Sequence, residues 1–123
     1  MQPLKYKLHL VLMGLPKSTN QLHGKHWAVR AKEKKHWLTY IGLMVGANKP
    51  KEPLKKAKIT YIRHSSKEMD FDNLYGSLKV PLDCLKQLRI IEDDRPSVIG
   101  LPEAKQSTTG PSNGYIELIV EEL

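Results

Sequence analysis

Leu4-Lys5-Tyr6-Lys7-Leu8-His9-Leu10-Val11-Leu12-Met13 sets the fold. Leu4, Tyr6, Leu8, Leu10 and Leu12 alternate with Lys5, Lys7, His9, Val11 and Met13. Successive side chains on an extended chain point to opposite faces. Period two over ten residues therefore predicts a strand with one buried face. Such a face has to be covered, and the next patterned stretch offers a helix. Gly14 to Asn20, with Pro16 and Ser18, reads as a loop. From about Gly24 to Ala47 the spacing is helical, with Trp27, Ala31, Trp37, Ile41, Met44 and Val45 expected on one face. Gly46, Asn48 and Pro50 end it.

Beyond a polar linker, Asn48 to Leu54, the alternation returns over Lys55 to His64. Ala57, Ile59 and Tyr61 oppose Lys58, Thr60 and Ile62, which predicts a second strand. Leu74, Leu78, Leu82, Leu85 and Leu88 then recur every three or four residues, so a helix is expected from Asn73 to about Leu88. Pro81 should kink or restart it near Val80. Ile90 and Ile91 read as buried. Ser97 to Leu101 is a candidate strand, Pro102 to Asn113 a hairpin loop, and Tyr115 to Val120 the last strand. The order β-α-β-α-β-β predicts an α+β, two-layer (α/β) fold. It comprises a mixed sheet of about four strands and two main helices, in one domain spanning 1–123.

Composition narrows the function. No apolar run approaches the roughly 18 residues of a membrane span. The lysines interrupting the first strand argue against a signal peptide. Cys84 is the only cysteine, so no intrachain disulfide can form and a reducing, cytoplasmic setting is expected. Its plain role is a small buried hydrophobe. His23, His26 and His36 have no cysteine near them, so no zinc site is expected.

The net charge of +7 conceals an asymmetry. Residues 1–67 hold fifteen Lys and Arg against Glu33 and Glu52, a charge of +13. Residues 68–123 hold five against eleven acids, a charge of −6. A basic half predicts a polyanionic partner, nucleic acid above all. Lys25, Arg30, Lys34, Lys35 and Lys67 are its candidate phosphate contacts. Trp27 and Trp37 read first as core residues, with base stacking as the functional alternative.

Asp70-Phe71-Asp72-Asn73-Leu74 begins the acidic half. In an extended segment the carboxylates of Asp70 and Asp72 share one side. Asp72 or Asn73 is then a plausible N-cap. Two acids at a helix start suit a hard cation such as Mg²⁺, whose shell is completed by waters and substrate phosphates. The plainer reading is a turn followed by a capped helix.

Asp70-Phe71-Asp72-Asn73-Leu74, the helix carrying Lys79 and Asp83, and the downstream pair Asp93-Asp94 together resemble the RusA family of Holliday junction resolvases. The chain length and the early loop with Pro16, Ser18 and Asn20 are also similar. The resemblance spans about Asp70 to Val98 and is weaker elsewhere. It implies a homodimer that binds four-way DNA junctions and nicks two strands symmetrically, with Mg²⁺ or Mn²⁺ required. It implies that Asp70, Asp72 and Asp94 are catalytic metal ligands. Lys79 is the nearest counterpart of the family's catalytic lysine. Leu and Ile residues of the second helix either supply the dimer seam or belong to the intrachain core. A non-catalytic nucleic-acid-binding protein and a nucleotide phosphohydrolase are the competing readings.

Overall fold

The computed structural model describes residues 5–18, 22–24 and 26–123. Strand β1 (Lys7–Met13) is followed by helix α1 (Trp27–Val45), strand β2 (Ala57–His64) and helices α2 (Phe71–Ser77) and α3 (Lys79–Gln87). One helical turn, α4 (Pro96–Ile99), precedes strands β3 (Glu103–Ser107) and β4 (Tyr115–Glu122). The fold is α+β, with a four-stranded mixed sheet in the order β1-β4-β2-β3. Strand β4 lies antiparallel to both β1 and β2, and β3 runs parallel to β2. No helix among the described residues is long and apolar enough to cross a membrane.

The alternation in the sequence places the core. Leu8, Leu10 and Leu12 are buried, and opposite them across the ladder stand Val120, Leu118 and Ile116. Ala57, Ile59 and Tyr61 of β2 extend the same face, which the helices cover. Burying each large apolar side chain contributes roughly 1.5–3 kcal/mol. The other face stays exposed or half-buried except at Thr60. There Glu117 ties three strands, 2.9 Å from His9 Nε2 and 2.6 Å from His64 Nε2.

Helix α1 buries less than its spacing suggests. Trp37, Ile41 and Val45 are buried, whereas Trp27, Ala31 and Met44 are exposed. At 1.5 Å per residue, α1 is about 28 Å long and α3 only about 13 Å. Only the C-terminal half of α1 therefore has a layer to pack on.

The second predicted helix begins at Phe71, not Asn73, and is two helices. The break falls at Leu78. Pro81 is the third residue of α3, where its missing N–H leaves no intrahelical bond unmade. Leu74, Leu78, Leu82 and Leu85 are buried inside this chain and Leu88 packs against the same core. The leucines thus belong to the intrachain core and do not form an exposed seam.

Two readings of the C-terminal third are corrected. Ser97 to Leu101 is not a strand, because Pro96 opens a helical turn and Gly100, at φ 60°, closes it. Pro102 to Asn113 is not a hairpin loop, because it contains β3. That strand pairs only with β2, at the sheet edge, and its polar residues are mostly half-buried. It therefore carries no apolar alternation to read. The chain then passes over β2 to place β4 between β1 and β2. Gly114, at φ 70°, makes this turn, and a Cβ there would lie 2.5 Å from Leu15 Cγ.

Candidate active site

The segment leading into α2 is tied down by its main chain. Arg63 Nη1 donates to the Lys67 carbonyl at 2.8 Å, and the Lys67 N–H donates to Ser65 Oγ at 3.3 Å. Gln106 on β3 holds Met69 twice. Its Oε1 accepts from the Met69 N–H at 2.9 Å, and its Nε2 donates to the Met69 carbonyl at 2.8 Å. This amide takes the place of a strand neighbour and fixes the residue just before Asp70.

Asp70 is itself extended, at φ −71° and ψ 166°, and is the N-cap of α2. Its Oδ1 accepts from the Asn73 N–H at 2.9 Å. The expected extended Asp-x-Asp therefore ends at its first residue, and neither Asp72 nor Asn73 is the cap. A side-chain acceptor at Asp70 satisfies an orphan N–H of the first turn, and the chain turns helical at Phe71. Asp72 stands in that turn, where a negative charge is favoured. Asp70, Phe71 and Asp72 are all exposed.

Asp94 lies on the loop after α3, and Lys79 reaches it from the start of that helix. Lys79 Nζ is 3.2 Å from Asp94 Oδ2 and 3.3 Å from Asp83 Oδ1. Partial burial works against the ammonium, but its bonds to Asp94 and Asp83 outweigh this and raise its pKa. The neighbouring Asp93 is differently held. Lys86 Nζ lies 3.0 Å away, Arg95 Nε 2.6 Å away, and the Asp94 N–H donates to Asp93 Oδ1 at 2.8 Å. The Lys86 bond first, then the Asp94 N–H, holds the Asp93 carboxyl down at about 2. Cys84 is buried, and burial, with the charge of Asp83, pushes its thiol up to about 11. That leaves it a core residue.

The basic helix is brought to this region by the loop after β1. Glu33 Oε1 accepts from the Lys17 N–H at 3.0 Å and from Trp37 Nε1 at 3.1 Å. The next residue, Ser18, is buried and donates from Oγ to Asn73 Oδ1 at 2.9 Å. Two adjacent loop residues thus join α1 to the first turn of α2. Arg30 and Lys35 are exposed on α1 and Lys34 is half-buried. Lys67 is exposed three residues before Asp70. Lys25 and Asn20 lie outside the described residues.

Asp70 and Asp72 thus follow each other at the start of α2, one as its cap and one inside its first turn, and Lys79 pairs with Asp94. Among the described residues, no group of three His, Cys, Asp or Glu is gathered as a metal-binding set. The donor chemistry of Asp70 and Asp72 nevertheless suits a hard cation held by one or two carboxylates. Glu33 and Gln106, which position the site, carry no sequence signal of that role. Glu33 is one acid in a basic helix, and Gln106 lies in a stretch that reads as loop. No family model matches the chain, and the search of curated proteins finds no matching relative.

Proposed function

We propose that this chain is a metal-dependent, structure-specific endodeoxyribonuclease. It would act in the cytoplasm as a homodimer and resolve four-way DNA junctions by paired nicks, with Mg²⁺ or Mn²⁺. The observation that supports this reading is the Glu33–Lys17 and Ser18–Asn73 pair of bonds, which links the basic helix α1 through two adjacent loop residues to the turn that carries two exposed carboxylates. Lys25, Arg30, Lys34, Lys35 and Lys67 would draw in and orient the phosphate backbone, giving affinity without reading bases.

Asp70 and Asp72 would hold the cation, with Asp94 as the third ligand once Lys79 has turned from it toward a phosphate. When bound, the cation would supply a water of lowered pKa and positive charge at the phosphorus. Lys79 would oppose the charge developing on the phosphoryl oxygens. Asp70 would present Oδ2 while Oδ1 keeps the helix cap. A two-fold substrate matches a two-fold enzyme.

An electrophoretic assay of a synthetic four-way junction against linear duplex, with and without Mg²⁺, tests this. Symmetric nicks confined to the junction and to Mg²⁺ are expected, and no cleavage of either DNA would overturn it. The second reading, a non-catalytic nucleic-acid-binding protein, draws on Asp70 serving as a cap and Asp94 as an ion-pair partner. It predicts binding that weakens steeply with salt and no metal-dependent cleavage.

A further inference from the structure

The two tryptophans of α1 have separate fates. Trp37 is 2% exposed, packs in the core and donates its Nε1–H to Glu33. Trp27 is 68% exposed, although it is the first residue of the helix. From Trp27 to Lys32 every residue is exposed, so this end of α1 stands clear of the core. Glu33 marks where the loop after β1 grips the helix. Trp27 lies six residues beyond it, about 9 Å along the axis. His26 shapes the tip. Its Nδ1 accepts from the Ala28 N–H at 3.2 Å, and its ring lies 5.4 Å from that of Trp27.

The charge around this tip selects its partner. Arg30, Lys32, Lys34 and Lys35 surround the projecting half, and its only acid, Glu33, is bonded inward. A protein partner would have to bring acidic groups to an isolated indole. A nucleic acid brings phosphates for the cations and a flat π-face for the ring. Base–aromatic stacking with a cationic surround is the usual grip on unpaired nucleotides. We infer that Trp27 stacks on an unpaired base of DNA held along α1, so that the chain prefers strands with open base faces to closed duplex. This rests on the nucleic-acid-binding part of the function proposed above and not on cleavage.

Binding measured without Mg²⁺ tests it, using oligo(dT), a four-way junction with an unpaired centre, and a relaxed, covalently closed circular duplex. Trp27→Leu should weaken binding to oligo(dT) and the open junction by roughly five- to hundredfold and leave binding to the closed duplex unchanged. Trp27→Phe should restore most of the loss. The acrylamide-quenchable emission, which comes from the exposed Trp27, should fall when oligo(dT) saturates the protein. Equal oligo(dT) affinity for wild type and Trp27→Leu, or unchanged emission at saturation, overturns the stacking inference. DNA binding that the Arg30→Gln/Lys32→Gln variant weakens would then keep the nucleic-acid reading alive. A wild-type chain that binds none of the three DNAs overturns both.

Discussion

Lys79 closes onto Asp94 at 3.2 Å across fifteen residues of sequence, joining the start of α3 to the loop after it. The pair is partly solvent-facing, with the Lys79 side chain 53% and the Asp94 side chain 21% exposed. A pair so placed is worth about 0–1 kcal/mol, weakened by salt. Lys79→Met should therefore unfold within a few degrees of wild type. Under the proposed function the same change removes the cation facing the phosphate, and junction cleavage should fall about 10²-fold. Thermal melts beside single-turnover cleavage read the two effects separately. A large loss of stability with normal cleavage would assign Lys79 to structure alone.

Asp70 and Asp72 are separable because only Asp70 caps the helix. Asparagine caps about as well as aspartate. Asp70→Asn should therefore melt like wild type, whereas Asp70→Ala should lose about 1 kcal/mol. Asp72→Asn sheds a favourable first-turn charge, worth about 0.3–1 kcal/mol. On the proposed reading all three variants abolish Mg²⁺-dependent nicking and keep junction binding. Persistent nicking by Asp72→Asn would remove this residue from the site.

The layers were legible in the sequence where a side chain's burial follows a period. Leu8, Leu10 and Leu12, then Ile59 and Tyr61, gave their strands and their inward face. Leu74, Leu78, Leu82 and Leu85 gave the buried side of α2 and α3. The reading failed where local chemistry or position overrides period. Trp27 matches the apolar spacing of α1, but no layer lies under it, and Met44 falls at the exposed edge of the stripe made by Trp37, Ile41 and Val45. Glu103 to Ser107 is a strand because β2 offers an open edge, and no hydrophobic pattern announces that. The start of α2 at Phe71 depends on which oxygen caps the helix. That choice also decides how the Asp70 and Asp72 carboxylates are presented. The ion pairs of Lys79, Asp93 and Asp94 depend on the turn after α3, which spacing alone does not specify.

Gln106 holds both main-chain groups of Met69. Gln106→Leu keeps similar bulk but leaves a half-buried N–H and carbonyl without this partner, which should cost about 1–3 kcal/mol. The strand should survive, because its ladder with β2 is made by backbone. Amide hydrogen exchange should quicken at Met69 and Asp70, with β2 still protected. Under the proposed function cleavage falls while junction affinity holds, since the residue touches no phosphate-binding side chain. Unchanged exchange at Met69 would show that the segment is held by other contacts.

Asp93 gives the fold an acid-sensitive joint. Its carboxyl is lowered to about 2 in the folded chain, first by Lys86 and then by the Asp94 N–H. In the unfolded chain it titrates near 3.9. A group with a depressed folded pKa stabilises the fold above its unfolded pKa, and the contribution disappears as pH falls through the folded value. The Asp93 contribution should therefore be complete above about pH 4 and lost progressively toward pH 2. Asp93→Asn should lower stability at pH 7 yet converge with wild type near pH 2. Urea melts at pH 7, 4, 3 and 2 provide the test. A constant gap between the two proteins across that window would show that Asp93 acts through packing and not through its charge.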